Sequence, residues 1–217
     1  MKRRRFIFQA TALSLGSFIA GACLRRKGSS ARIDEPVETG SENGLGKNRE
    51  MPQELVMQML DQKVDQYMQE SNNCAQSSFL ALTEQFELGG EEVLKALTPL
   101  PGIAERGETC GAVTGCLMAF GLIYGRGRKR LHDWGVYQDS LVPAGEFCRR
   151  FEKVFGSTMC RDIQEAKFGR SFQLTDPEDL RAFQEAGATT GCSAVVRRAV
   201  RLAAEIILTD PHASPDK

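Results

Sequence analysis

Four of the seven cysteines in this 217-residue chain stand where the sequence predicts the start of a helix. They are Cys74, Cys110, Cys160 and Cys192, and the second of them begins the sequence Cys-Gly-Ala-Val-Thr-Gly at residues 110–115. A helix N-terminus carries partial positive charge and unpaired N–H groups, which favour a thiolate or an anionic cluster. If the fold brings these helix starts together, they form a sulfur-lined pocket suited to a metal cluster or to reactive thiols.

The same four cysteines allow other chemistry. They could form two structural disulfides in an oxidising compartment, or bind one zinc ion, although the paired C-x₂₋₄-C knuckles typical of zinc sites are absent. They could also exchange thiols and disulfides, with Cys110 as the thiolate of lowest pKa. Haem c has no support, because the chain lacks C-x-x-C-H and its two histidines, His132 and His212, are predicted to be exposed.

Cys116 and Cys148 are predicted to be small core residues, since each lies on the apolar stripe of its helix. Cys116 follows Cys110 by six residues, which is about 120° round a helix of 3.6 residues per turn, so the two should not face one ligand. The alternative role for Cys116 or Cys148 is a resolving thiol or a disulfide partner.

The N-terminus predicts export. Residues 1–22 contain an arginine run, a weakly apolar stretch and a small-residue site, as in an export signal. The sequence Arg-Arg-x-Phe-Ile at residues 3–7 resembles the twin-arginine signal of bacteria, whose route carries folded proteins that often already hold a cofactor; an ordinary secretory signal is the alternative. Cys23 follows directly and offers a site for a lipid anchor. We expect a protein in the periplasm or anchored on the outer side of the inner membrane.

Charge disfavours nucleic acid as a partner. The whole chain has 28 basic and 28 acidic residues, and residues 1–22 contain four of the basic ones, so the mature chain has 24 against 28 and a net charge of −4. A basic run at residues 126–130 is expected to complement the C-terminal dipole of the helix before it.

The chain is predicted to form one all-α domain over residues 52–210. Residues 23–51 are polar and predict a disordered linker, and residues 211–217 predict a disordered tail. Within the domain, apolar residues recur at helical spacing and no segment alternates with a period of two, which predicts a single-domain bundle of about five to seven helices.

Two predicted helices are central to these expectations. The helix that begins at Cys110 has Gly111 and Gly115 on one face, where another backbone or a cluster could approach closely. The longest helix carries an apolar seam from Trp134 to Phe155, which Pro143 is expected to kink or restart, and it is predicted to be the main core element.

The segments around the four cysteines resemble the C_GCAxxG_C_C family of redox-active proteins. Residues 73–77 are similar to the family's first cysteine segment, residues 107–115 to its central motif, residues 147–161 to its third segment, and Cys192 with its helix to the fourth. The resemblance covers about residues 53–208. The module is also similar to the iron–sulfur part of split-Soret cytochromes, whose haem-attachment motifs are absent here.

The resemblance implies an iron–sulfur cluster, [2Fe–2S] or [4Fe–4S], without haem, bound by Cys74, Cys110, Cys160 and Cys192. N–H···S bonds from Gly111 and its neighbours would tune its potential. We therefore expect electron transfer to a redox partner protein, with a thiol–disulfide redox protein or a disulfide-stabilised binding module as alternatives. A homodimer and an enzymatic activity both stay open.

Overall fold

The structure, a computed structural model, describes residues 42–214. The predicted export signal, the lipidation site at Cys23, the linker before residue 42 and the tail after Ser214 lie outside these residues. Within them, no helix is long and apolar enough to cross a membrane.

The all-α, single-domain prediction is confirmed. Residues 42–214 contain one isolated β-bridge, no longer strand, and ten helical segments. These exceed the five to seven expected: two short ones, α1 and α5, fall where the sequence predicts linker and loop, and eight helices are present without them. The helices are α1 (Glu42–Glu50), α2 (Gln53–Ser71), α3 (Cys74–Gln85), α4 (Glu91–Ala96), α5 (Gly102–Glu105), α6 (Gly111–Tyr124), α7 (Trp134–Phe155), α8 (Cys160–Phe168), α9 (Pro177–Glu185) and α10 (Ala188–Thr209), with a 3₁₀ turn at Arg128–Arg130.

Helices α3 and α6 form the centre of the fold, and α2 and α10 pack against α3. The close approach of α3 to α6 depends on Gly115, where a Cβ atom would overlap the Ser78 hydroxyl and the carbonyl oxygen of Ala75. The glycine-lined face predicted for α6 therefore contacts the backbone of a neighbouring helix.

Helix α7 corrects the prediction of one apolar seam along the main core element. It continues through Pro143 for 22 residues, and only Pro143, Phe147 and Phe151 are buried along it. Trp134 is 62% exposed and Leu141 is 49% exposed. Phe147 follows Trp134 by 13 residues, which is about 220° round the helix, so the two side chains lie on roughly opposite faces. The helices that bury most of their apolar side chains are α2, α3, α6 and α10.

Two segments predicted to be disordered are folded where the structure describes them. In α1, Leu45 is buried, and the Asn48 side chain donates hydrogen bonds of 2.7 Å to the carbonyl oxygens of Gly44 and Gln85. In the predicted tail, Ala213 is buried. The linker prediction is therefore wrong for residues 42–50 and the tail prediction for residues 211–214. A few well-placed side chains hold a short polar segment against a core, and average composition does not reveal them.

Candidate functional site

Cys74 is placed by the start of α3. Asn72 ends α2 in a left-handed conformation, and the Asn73 side chain caps α3 by accepting hydrogen bonds from the backbone N–H groups of Ala75 (3.1 Å) and Gln76 (3.0 Å). Cys74 is the first residue of α3, as the sequence predicts. Its sulfur lies close to α6, since a Cβ atom at Gly111 would overlap it.

The segments that carry Cys110 and Cys160 are joined by main-chain hydrogen bonds. Thr109 and Met159 form an antiparallel bridge, in which the Cys110 N–H donates to Thr158 O (2.9 Å) and the Cys160 N–H donates to Glu108 O (2.6 Å). This bridge places Cys110 at the N-cap of α6 and Cys160 at the first residue of α8. The starts of these two helices are therefore held together by main-chain hydrogen bonds.

The prediction that Cys192 stands at a helix start is wrong. Helix α10 begins at Ala188, after Gly187 in a left-handed conformation (φ 64°), so Cys192 is its fifth residue. Gly191 has another role: a Cβ atom there would come within 2.6 Å of the Phe168 ring. Gly191 permits α8 to pack against α10, and it does not begin the helix.

Three of the four cysteines line one cavity of about 280 Å³, which we call the cysteine cavity. Cys74, Cys160 and Cys192 supply its sulfur atoms. Pro101 and Glu105 contribute from the segment before α6, while Leu180 and Phe183 of α9 contribute apolar wall. Cys110 lies against Cys74 and is 6% exposed. All four predicted residues are thus brought together, with Cys110 set behind the cavity wall.

Cys110 is the cysteine whose environment favours the thiolate. The Cys74 thiol donates a hydrogen bond to the Cys110 sulfur, and the backbone N–H groups of Ala112 and Val113 in the first turn of α6 also stabilise its negative charge. Together they lower the pKa of Cys110 below its ordinary value although the group is buried. The prediction that Cys110 is the thiolate of lowest pKa agrees with this lowered pKa. Gly111 itself supplies clearance for the Cys74 sulfur.

The other cysteines near the cavity favour the neutral thiol. The same hydrogen bond, given to Cys110, raises the pKa of Cys74, and burial raises it further. Burial, with the negative charge of Cys110 nearby, raises the pKa of Cys160 well above its ordinary value and that of Cys192 to about 12. Of the four cysteines, Cys110 is therefore the one at which the thiolate is most favoured.

The turn that carries Glu105 to this site is not evident from the sequence. Its four residues have left-handed backbone, with φ values of 50° at Gly102, 45° at Ile103, 58° at Ala104 and 58° at Glu105. Burial raises the pKa of the Glu105 carboxyl, and its negative charge contributes to the raised pKa values of Cys160 and Cys192. The only sequence signal is the Pro-Leu-Pro-Gly at residues 99–102, which predicts a loop but not its handedness.

The side chains do not form a ready site for a single metal ion. In residues 42–214, no group of three or more His, Cys, Asp or Glu side chains is arranged to hold one. All six cysteines in this part of the chain are free thiols.

The remaining candidates lie outside the cysteine cavity. Cys116 is completely buried in the core, as predicted, and Cys148 is partly buried against it. Burial raises the pKa of both thiols. His132 and His212 are exposed, as predicted.

Comparison with known proteins agrees with this arrangement of cysteines. Residues 72–206 match the family described as "Putative redox-active protein (C_GCAxxG_C_C)", and the match includes all four cysteines of the site. The chain belongs to this family. The resemblance to this family noted in the sequence is thereby confirmed, and membership of the C_GCAxxG_C_C family assigns the protein to a redox-active class.

The chain is also similar to a protein of another organism. An uncharacterized protein of Archaeoglobus fulgidus is 28% identical over 141 residues, an alignment that covers 62% of this chain and 84% of that protein. No solved structure matches the chain.

Proposed function

We propose that this protein is an exported redox protein that binds an iron–sulfur cluster through Cys74, Cys110, Cys160 and Cys192. It would transfer electrons to a partner protein. One observation carries the proposal: four separate helices bring these four cysteines to one buried site. A bound cluster supplies one-electron redox chemistry.

The donor set and the space suit a cluster better than a single ion. A cluster needs a wider set of ligands than zinc does, because its thiolates bind different iron atoms. The cysteine cavity of about 280 Å³ provides room among three of the sulfurs, and Gly111 keeps side-chain atoms away from the Cys74 sulfur. Cys74, whose thiol donates a hydrogen bond to Cys110, would lose its proton on binding a metal.

The residues around the cysteines would affect a bound cluster in different ways. The backbone N–H groups of Ala112 and Val113 stabilise negative charge on the Cys110 sulfur, which favours a more positive reduction potential. Leu180 and Phe183 of α9 cover one side of the cysteine cavity with apolar surface and limit the entry of water. The carboxylate of Glu105 opposes added negative charge at the same site.

The test is anaerobic purification of the protein from cells competent in cluster assembly, followed by visible absorption and assays of iron and acid-labile sulfide. We expect a coloured protein containing both elements. Replacing Cys110, Cys160 or Cys192 by serine should remove most of the iron, because each change deletes one thiolate ligand.

Cys148→Ala is the matched control. Cys148 is also a partly buried free thiol, but it lies outside the cysteine cavity, so this variant should keep its iron. A colourless, iron-free wild-type protein would refute the proposal. Equal iron loss in Cys148→Ala and Cys192→Ser would show that the iron is not bound by the proposed set.

The contact between Cys74 and Cys110 favours thiol–disulfide exchange as a second candidate. The Cys110 thiolate would attack a disulfide of a partner protein, forming a mixed disulfide and releasing one partner thiolate. Cys74 would then give its proton to that thiolate and attack the Cys110 sulfur, which breaks the mixed disulfide and releases the second partner sulfur as a thiolate. The products are a Cys74–Cys110 disulfide and a reduced partner with one thiol and one thiolate, so two electrons pass to the partner.

The pH dependence of alkylation tests this second candidate. In metal-free protein, iodoacetamide should modify Cys110 slowly, because the side chain is 6% exposed. It should still do so below the pH at which ordinary thiols react, and the rate should fall as the pH drops through the lowered pKa of Cys110. Cys74→Ala removes the hydrogen-bond donor and should shift the profile to higher pH. Mass spectrometric mapping identifies the modified residue, and a Cys110 profile like that of an ordinary thiol would exclude this role.

A further inference from the structure

An exposed apolar patch lies at the beginning of α7, away from the cysteine cavity. It comprises Leu131, Trp134, Leu141 and Val142, which are 61%, 62%, 49% and 67% exposed. These are four of the eight large apolar side chains that are exposed in residues 42–214, and all four fall within 12 residues of sequence. Clustering of this kind on a protein surface marks an interaction site.

The patch lies on the solvent side of its helix. Leu141 follows Trp134 by seven residues, about two helical turns, and Val142 is the next residue, so all three lie on one side of α7. Pro143 and Phe147 occupy the opposite side and are buried in the protein. The patch is therefore a second apolar face of α7, additional to the one that packs on the core.

A positively charged segment adjoins the patch. Arg126, Arg128, Lys129 and Arg130 form a basic run immediately before Leu131. Arg130 is paired with Asp133 (2.8 Å), whereas Arg128 and Lys129 are exposed and point their charge to solvent. Arg126 lies 4.8 Å from the centre of the Tyr137 ring, and that ring lies 4.9 Å from the Trp134 ring.

Charge distinguishes between the surfaces that could cover the patch. A second copy of the chain would present the same basic run, and its Asp133 would already be paired with Arg130, which leaves Asp139 as the exposed carboxylate near the patch. Anionic lipid headgroups complement the run, and tryptophan with leucine and valine beside basic residues is the composition of a surface that binds at the membrane interface.

We propose that the apolar patch and the basic run together dock the protein on an anionic lipid bilayer. Trp134, Leu141 and Val142 enter the interfacial region, while Arg128 and Lys129 bind lipid phosphate groups. This inference uses no residue of the cysteine site and does not depend on the cofactor.

Trp134 is the only tryptophan in the chain, so tryptophan fluorescence reports on the patch itself. The full chain is mixed with vesicles of equal parts phosphatidylglycerol and phosphatidylcholine, or of phosphatidylcholine alone. We expect a blue shift of the emission with the anionic vesicles, a much smaller one with the neutral vesicles, and reversal by high salt. Attachment by another part of the chain would not by itself bury Trp134.

Two variants that keep the tryptophan make the test specific. The double variant Arg128→Glu, Lys129→Glu should weaken the anionic-vesicle response by about tenfold or more in lipid concentration. Lys95→Glu, Arg181→Glu is the control, since it changes the net charge equally at two other exposed positions. Val142→Ser should weaken binding without any change in charge.

Equal blue shifts with both kinds of vesicle, or equal losses in the two double variants, would overturn the proposal. So would the absence of any shift with vesicles. A shift that appears only on addition of an acidic protein would assign the surface to a protein partner instead of a membrane.

Discussion

Gly111 determines how closely α6 approaches the Cys74 sulfur. A Cβ atom there would overlap that sulfur and lie 2.9 Å from the Ala75 nitrogen and 3.2 Å from the Cα of Pro101. Two of these neighbours are backbone atoms, which cannot move without displacing α3 or the segment before α6. Gly111 is therefore required by the space between elements and not by its own backbone conformation, which is helical.

We expect Gly111→Ala to destabilise the protein by about 1–3 kcal/mol, because overpacking forces a backbone shift. Gly121→Ala in the same helix is the control: nothing lies within 4 Å of its added Cβ, and alanine should stabilise the helix by about 0.5–1 kcal/mol. Urea denaturation measures both changes. Equal effects would show that α6 and α3 are not in close contact at Gly111.

At the scale of elements, the single turn α5 has an unusual backbone. Gly102 tolerates a positive φ, but Ile103, Ala104 and Glu105 each adopt one with a side chain. Hydrogen bonds fix the turn: the Glu105 N–H donates to Pro101 O (2.8 Å), and the N–H groups of Arg106 and Glu108 donate to Gly102 O (3.0 Å each). The turn thereby holds Glu105 at the cysteine cavity against local preference.

Ala104→Gly should raise the free energy of unfolding by about 1 kcal/mol, because glycine removes the steric cost of a left-handed conformation. Ala166→Gly, at an exposed position within α8, should lower it by about 0.5–1 kcal/mol. Opposite signs in urea denaturation are the expected result. A destabilising Ala104→Gly would mean that residue 104 does not adopt the left-handed conformation.

Most element boundaries could be predicted from sequence because they depend on local chemistry. Asn73 caps α3, Gly125 ends α6, and Pro177 begins α9, each by a short-range preference that one residue expresses. The start of α10 could not be predicted in this way. Gly191 resembles a helix boundary in sequence, but glycine is needed there because the ring of Phe168, from another part of the chain, packs against it.

The candidate site was predictable in its members but not in its arrangement. The sequence alone predicts Cys74, Cys110, Cys160 and Cys192 as a group. Their unequal roles, with Cys110 as acceptor and Cys74 as donor, depend on the distance between α3 and α6. Glu105 was missed because a left-handed turn is specified by packing and main-chain hydrogen bonds and not by its residue types.

At the scale of the whole molecule, α7 packs against the core through one face only. A column of aromatic rings runs along that face: Phe147 lies 5.6 Å from Phe120 and 6.1 Å from Phe151, between ring centres. Apolar residues on both faces produced the continuous seam seen in the sequence, because periodicity reveals which residues share a face but not which face meets the core.

Phe147→Ala should destabilise the whole fold by about 3–5 kcal/mol, since it leaves a cavity beside Phe120 and Phe151. Leu141→Ala, on the exposed side of the same helix, should change the stability by no more than about 0.5 kcal/mol. Thermal or urea unfolding distinguishes the two. A large loss in Leu141→Ala would show that the apolar patch is covered within the protein.

The bridge between Thr109 and Met159 has a consequence for how members of the family can diverge. It closes a loop over residues 110–158, which contains both α6, packed on α3 at the centre of the fold, and α7. The cost of closing a loop grows only slowly with its length. Insertions or replacements between α6 and α7 can therefore accumulate with little effect on the spacing of Cys110 and Cys160, whereas α6 is held in place by its packing on α3. We expect relatives to vary most between α6 and α7, so that one cysteine site can be combined with different surfaces for attachment.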